Sequence, residues 1–457
     1  MTDTLLPDAG PLPLVDGPLP QTEEVVRTRK APAAGVAARL LRAWHARRGS
    51  KSIDVVFLAG SERRADEIAR ALEAMGSDGG PDVLVFPPWD CLPYDRAAPS
   101  RESMGRRMAV LSRLAEKAPT GRLVITSPEA VMQRVPPKEA ASARFDLLVG
   151  DSLDRQALQA FALRCGFVED ERIDEPGEIA FLGEVIDVYP PGRPSPARIV
   201  VDADDTITEI RSFDPVSQRS QDLLAGLVLT PASERISEEA DDNPLMAGGE
   251  HRLPEHYESG LSTLFDYAAA ANILMEAVVP ERVERFAALV TEAFESRHSF
   301  GAADGSRPLA PERLYLKTEE IAAALGRAEV LDVERIAPTP AFALERTPGA
   351  AVKRYLIAQS EAGRAVVLTG LAHEQRVVAR LLKRNGVVLP APLDSWPSPT
   401  PMGPDDRVTV IADLDSGYED HQSGWTVLTP TDITGGRLAR ASASSETSFG
   451  EIGRAHV

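Results

Sequence analysis

The sequence predicts an α/β protein: a domain built on a parallel sheet, interrupted by a small α+β module, with a second α/β domain after it. Three observations carry that expectation. Apolar strands alternate with helices of 10–15 residues from Ile53 to Arg134, the rhythm of a parallel sheet covered by helices. Between Phe145 and Asp214 the rhythm gives way to short strands and frequent turns. After Ala365 the strand–helix alternation returns.

In chain order, residues 1–25 are rich in Pro and acidic residues and are expected to fray. Arg27, Arg29, Lys30, Arg39, Arg42, Arg47, Arg48 and Lys51 then occur without an acidic residue among them. Val36, Leu40, Leu41 and Trp44 recur there at helical spacing, which predicts an amphipathic helix whose basic face is either solvated or in contact with phosphate. The first α/β stretch reads as strand Ile53–Ala59, helix Arg63–Met75, strand Val83–Phe86, loop Pro87–Ser100, a helix near Glu102–Lys117, strand Leu123–Ser127 and a short helix Glu129–Arg134. The module reads as strands Leu147–Val149, Ile179–Phe181, Glu184–Val188, Ile199–Val201 and Ile207–Ser212 with one helix, Arg155–Cys165. Asp222 to Ala337 is mostly helical, with strand-like Leu227–Leu229 and Asn272–Met275. Residues 334–351, with Pro338, Pro340 and Pro348, read as a linker. The last segment reads as strand Ala365–Thr369, helix His373–Asn385 and strands Val387–Pro390, Val408–Ala412 and Thr426–Leu428. The expected division is therefore 1–25, 26–140 with 218–337, an insertion at 141–217, a linker at 338–351 and a last domain at 352–445.

Composition narrows the function. A chain of 457 residues has room for two to four domains. With 50 Lys+Arg against 69 Asp+Glu the net charge is −19, a poor balance for generic binding to polyanionic DNA. No apolar run reaches the ~18 residues of a membrane helix, and the two cysteines, Cys91 and Cys165, make no disulfide framework, so a cytoplasmic protein without membrane contact is expected. The chemistry of a phosphate-cradling P-loop needs Gly-Lys-Ser/Thr after a strand, and no Gly-Lys pair occurs. Gly49-Ser50-Lys51-Ser52 precedes its strand instead of following it. No G-x-G-x-x-G follows a strand, the histidines are scattered without H-x-x-x-H spacing, and no G-x-S-x-G elbow is present. Asp202-Ala203-Asp204-Asp205 reads as an acidic hairpin turn, lacking the length and terminal Glu of a calcium loop. The residues thus nominate no catalytic, cofactor-binding or metal site, and the chain is expected not to be an enzyme. The rival is an ATP-dependent nuclease or helicase subunit with a divergent nucleotide site near Gly60 and Trp89.

Three stretches are specific. The first runs from Phe86 to Arg96 (Phe-Pro-Pro-Trp-Asp-Cys-Leu-Pro-Tyr-Asp-Arg), followed by Pro99 and the basic helix Arg101–Arg113. The second runs from Thr126 to Pro137 (Thr-Ser-Pro-Glu-Ala-Val-Met-Gln-Arg-Val-Pro-Pro). The third is Glu175-Pro176-Gly177-Glu178-Ile179-Ala180-Phe181, continuing through Gly183 to Pro190, then Arg198-Ile199, Ile210 to Asp214 and Ser217 to Ser220. In this order they resemble the amino-terminal, UvrB-like region of the bacterial transcription-repair coupling factors (Mfd), nearly to Ala439 and most weakly after residue 340. The resemblance implies a UvrB-like α/β domain without a P-loop, a UvrA-binding domain inserted in it, and a separate α/β domain. It also implies that the function is to recruit UvrA to lesion-stalled RNA polymerase and to regulate a DNA translocase motor that is absent from this chain. The family's translocase motor, which uses ATP and Mg and acts on double-stranded DNA, lies further along the full protein.

Site residues follow from the same likeness. Arg172, Glu178, Phe181 and Tyr189 are the candidates for contact with UvrA. The aromatics fit an interface as hot spots, or equally a core or sheet edge. The family's two recognition arginines are replaced here by Glu169 and Leu182, and Arg172, three residues from Glu169, is the candidate substitute. Trp89 and Tyr94 correspond to a loop near the cleft where UvrB holds nucleotide or DNA. Arg101, Arg106 and Arg107 then retain phosphate contact or line a solvated helix, and the plainer reading packs Trp89 and Leu92 on the sheet. The terminal Ile452-Gly453-Arg454-Ala455-His456-Val457 does not resemble the family. It matches a reading frame of a common sequencing-library adapter, so a truncated fragment is expected.

Overall fold

The computed structural model describes residues 31–47, 54–76, 79–95, 97–117, 121–237, 249–300, 307–397, 403 and 406–436. Gly49–Ser52 and Ile452–Val457 lie outside them. Four sheets organise the described residues. Val55–Leu58 (Val-Val-Phe-Leu) is central in a five-stranded parallel sheet, and its four residues are fully buried, as an unbroken apolar strand covered on both faces must be. Arg122–Thr126 and then Asp82–Phe86 lie on one side of it, and Asn272–Met275 and then Glu329–Val330 on the other. Chain from before and after the module thus interleaves in one sheet, with Val55 registered against both Leu123 and Asn272. Helix Glu62–Ala74 begins where Ser61 Oγ accepts the Arg64 N–H, an N-cap that satisfies one of the first-turn donors.

The module is an antiparallel meander of Glu178–Leu182, Val185–Val188, Ala197–Val201, Ile207–Phe213 and Ser220–Leu223, edged by a short parallel strand, Val168–Glu169. Its incoming and returning strands, Phe145–Leu148 and Gly226–Leu229, zip together antiparallel. The expected end at residue 217 is too early, because Ser220–Leu223 and the return strand lie beyond it. Ser220–Leu223 is exposed at every position, so no alternation of apolar residues announces it.

The last sheet runs Ile336–Pro338, Tyr418–Asp420, Trp425–Leu428, Ala365–Leu368, Arg407–Val410, Pro392–Leu393, parallel at its centre and antiparallel at the first two pairs. Two expectations change here. The stretch 334–351 is not a plain linker. Pro338 ends an edge strand, where its missing N–H is harmless, and Pro348 opens helix Pro348–Glu361 at a position that leaves its N–H unneeded. Val387–Pro390 is not a strand, and pairing begins only at Pro392.

Helix Ala33–Arg47 buries Val36, Leu40 and Trp44, as its spacing requires. It shares one apolar core with Val55, Phe57 and Ile68 on one side and Val367, Tyr418 and Val427 on the other, so it joins the first sheet to the last. Among the described residues, the arginines of its basic face take acidic partners. Arg39 and Arg42 each donate to Asp420 at 2.7 Å, and Arg47 pairs with Glu329. Gly35 makes the approach possible, since a Cβ there would lie 2.4 Å from Ile336 Cγ2.

Candidate functional site

The carboxyl ends of parallel strands are where α/β sheets usually hold ligands. Here the turns after Val55–Leu58, Asp82–Phe86 and Arg122–Thr126 frame a cleft of about 450 Å3. The loop after Phe86 is closed down onto the body. Trp89 is buried and its indole N–H donates to Glu234 Oε1 at 2.8 Å. Tyr94 is buried against Phe294 and Tyr315 and donates to the Leu309 carbonyl at 2.9 Å. Arg107 is wholly inaccessible: it pairs with Glu234, donates to the Pro87 carbonyl at 2.9 Å and stacks over Phe86. These three residues therefore act as cross-links between the loop and the body, through burial and partners that are invisible in sequence. Cys91 lines the same cleft, and burial, then the charges of Asp90, Asp95 and Glu250, push its thiol up to about 12, which disfavours the thiolate.

The turn Gly60–Ser61, between strand and helix, is where a phosphate would meet backbone donors in a nucleotide-binding domain. Glu276 holds that seat. Its carboxylate accepts the Gly60 N–H at 2.7 Å and pairs with Arg64 Nε at 3.0 Å, while Arg282 donates to the Gly60 carbonyl at 3.0 Å. Sequence reading passed over Glu276. The signal available was its place, the first residue after strand Asn272–Met275 of a parallel sheet.

Arg101 and Arg106 pack against the module. The Arg101 stem lies against Gly177, and Arg106 packs beside Gly192 and reaches Asp66 at 4.0 Å. Between them, Gly105 meets Pro191 so closely that a Cβ would lie 2.2 Å from the proline's own Cβ. Helix Arg101–Ala115 is thus the platform under the module.

Within the module the four candidates part company. Glu178 accepts the N–H groups of Asp174 and Glu175, both at 2.9 Å, and so braces the turn before its strand. Tyr189 is half-buried against Ile173, Ala180 and Phe213, and burial, then the charge of Glu102 on the platform helix, raises its hydroxyl pKa. That places it toward the body. Arg172 is exposed, with Asp174 at 3.0 Å as its partner. Phe181 is half-buried in the strand that ends at Leu182, itself 48% exposed. Glu169 is exposed on the short edge strand and accepts from Gln159 at 3.0 Å. Arg172, Phe181 and Leu182 are the members with surface to offer.

Comparison with known proteins fits this module. A family model described as the UvrB interaction domain matches residues 145–234, the span that the paired strands close. The transcription-repair-coupling factor of Escherichia coli (strain K12) is 24% identical over 426 residues, covering 83% of this chain and 35% of that protein. That of Haemophilus influenzae is 27% identical over 297 residues, 58% of this chain and 25% of the relative. That of Myxococcus xanthus is 29% identical over 256 residues, 48% and 21%. The chain carries a UvrB interaction domain in a mixed α/β frame and is similar to transcription-repair-coupling factors, of whose length the match covers about a fifth to a third.

Proposed function

We propose that this chain is the UvrA-recruiting region of a transcription-repair coupling factor. One observation carries the reading: the UvrB interaction domain match coincides with a module that is closed by its own strand pair and leaves Arg172, Phe181 and Leu182 at its surface. On this reading the parallel-sheet body, made from chain on both sides of the module, is UvrB-like and serves as a mount, and the last α/β domain adjoins it. The body takes no nucleotide, because the Glu276 carboxylate already engages the donors that a phosphate needs. ATP, Mg, RNA polymerase and double-stranded DNA belong to a translocase motor in a longer protein, acting in the cytoplasm. The test is affinity for purified UvrA by biolayer interferometry. Arg172→Glu is expected to weaken binding at least tenfold, and Phe181→Ala comparably, an aromatic anchor being worth about 2 kcal/mol. Wild-type protein that fails to bind UvrA, under conditions where a transcription-repair-coupling factor does bind, would refute the reading.

A further inference from the structure

The cleft beside the Glu276 seat is a different matter, and its uncompensated groups define what it can hold. Three arginines line it, and all are engaged: Arg63 with Glu67 at 3.0 Å, Arg282 with the Gly60 carbonyl, and Arg285 with Glu281. Its two acids are less fully partnered among the described residues. Glu129 Oε2 is buried without a hydrogen-bond partner among the described residues, and Glu62 stands on the rim with no ion pair among them. Partial burial, then the charge of Asp66, raises the Glu62 pKa against the opposing charge of Arg106, with Glu129 and Asp90 adding to the rise. Asp66, Glu129 and Asp90 thus stand near enough to Glu62 for their charges to be felt there.

A second observation is independent of charge. Gln133, only 2% exposed, lines the same cleft and has its amide Nε2 buried without a hydrogen-bond partner among the described residues. A buried amide donor lacking an acceptor is destabilising, and a bound carbonyl removes that cost. The opposite wall is apolar: Phe286 is half-buried, Leu289 is 41% exposed, and Leu92 is 64% exposed at the loop. The cleft therefore asks for three things at once: a cation for the carboxylates, a carbonyl for Gln133, and an aliphatic stem for the Leu92–Leu289 wall. An arginine within a peptide supplies all three, its stem lying on apolar surface while the guanidinium reaches a carboxylate.

We propose that this cleft docks an arginine-bearing peptide segment of a partner protein, the guanidinium on Glu129 and Glu62 and the adjacent main-chain carbonyl on Gln133. The site is separate from the module's face, so its test does not depend on UvrA.

The probe is Ac-Ala-Leu-Arg-Leu-Ala-NH2, titrated calorimetrically into the 457-residue chain. Its controls are the same peptide with citrulline, a neutral isostere of arginine, and free arginine, whose own carboxylate the acidic field repels. Arginine peptide binding at least tenfold tighter than either control supports the site. Glu129→Gln and Glu62→Gln should each lower that affinity at least fivefold. Leu289→Lys, an exposed change that puts a competing cation on the wall, should abolish binding with an unchanged melting temperature. Equal binding of the citrulline and arginine peptides, no binding up to millimolar peptide, or full affinity in Leu289→Lys would each overturn the proposal.

Discussion

Two seams hold this molecule together, and they solve the same problem differently. Where the module sits on the platform helix, Gly105 admits Pro191, and an ion pair beside it, Arg107 with Glu234, is entirely buried on both sides. Where the first helix meets the last sheet, Gly35 admits Ile336. There the ions keep an opening to water, since Arg39 and Arg42 retain 12% and 28% of their side-chain exposure above a buried Asp420. Both seams pair a glycine with arginine. The buried pair carries a desolvation cost on each ion, so it holds only while both partners remain, whereas a part-solvated pair tolerates change. The module seam is accordingly brittle and the helix seam compliant.

That contrast can be broken by mutation. Glu234→Ala strands the Arg107 charge and the Trp89 N–H together, and should cost about 3–5 kcal/mol in urea unfolding. The paired replacement Arg107→Met with Glu234→Leu should recover most of it, and failure to recover would mean that the pair is not what makes the seam brittle. Gly105→Val forces Pro191 away and should cost at least the ~1–3 kcal/mol of an overpacked core, with a lowered melting temperature as the readout. At the other seam, Asp420→Ala should cost only about 2 kcal/mol, the scale of hydrogen bonds to a charged group.

Acid separates the seams further. Burial pushes the Asp420 pKa up, but hydrogen bonds from Arg42 and Ser423 and the charges of Arg42 and Arg39 outweigh it, leaving the carboxyl below its ordinary value. A depressed carboxyl stabilises fully above its unfolded value of about 3.9 and loses that contribution as pH falls through the lower folded value. The helix seam should therefore hold at neutral pH and loosen only below about pH 4, and Asp420→Asn should flatten that acid limb in thermal melts. The smallest effect is expected at Arg172, whose exposed pair with Asp174 is worth less than ~1 kcal/mol, so Arg172→Glu should leave the unfolding midpoint nearly unchanged.

How much of this was legible in sequence depends on the distance over which each feature is determined. The central strands were, because Val55–Leu58 and Ala365–Leu368 are unbroken apolar runs whose burial is written in their own residues. The first helix was legible by its Val36–Leu40–Trp44 spacing, but the partner of its basic face was not, since Asp420 lies 378 residues from Arg42. The cleft loop failed for the same reason: nothing local to Trp89 or Arg107 tells that Glu234, on the far side of the module, anchors both. Edge strands failed differently: Ser220–Leu223 is exposed at every position, and Ile336–Pro338 is short and proline-bearing although Ile336 itself is buried in the core.

Glu276 has one more consequence. An anion fixed on the neighbouring strand presents itself to Gly60 and Arg64 at an effective concentration on the order of millimolar or above, without ever diffusing away. A free phosphate competes there against a tethered rival that is never diluted. A nucleotide phosphate would have to displace that carboxylate before it could use the Gly60 and Arg64 donors.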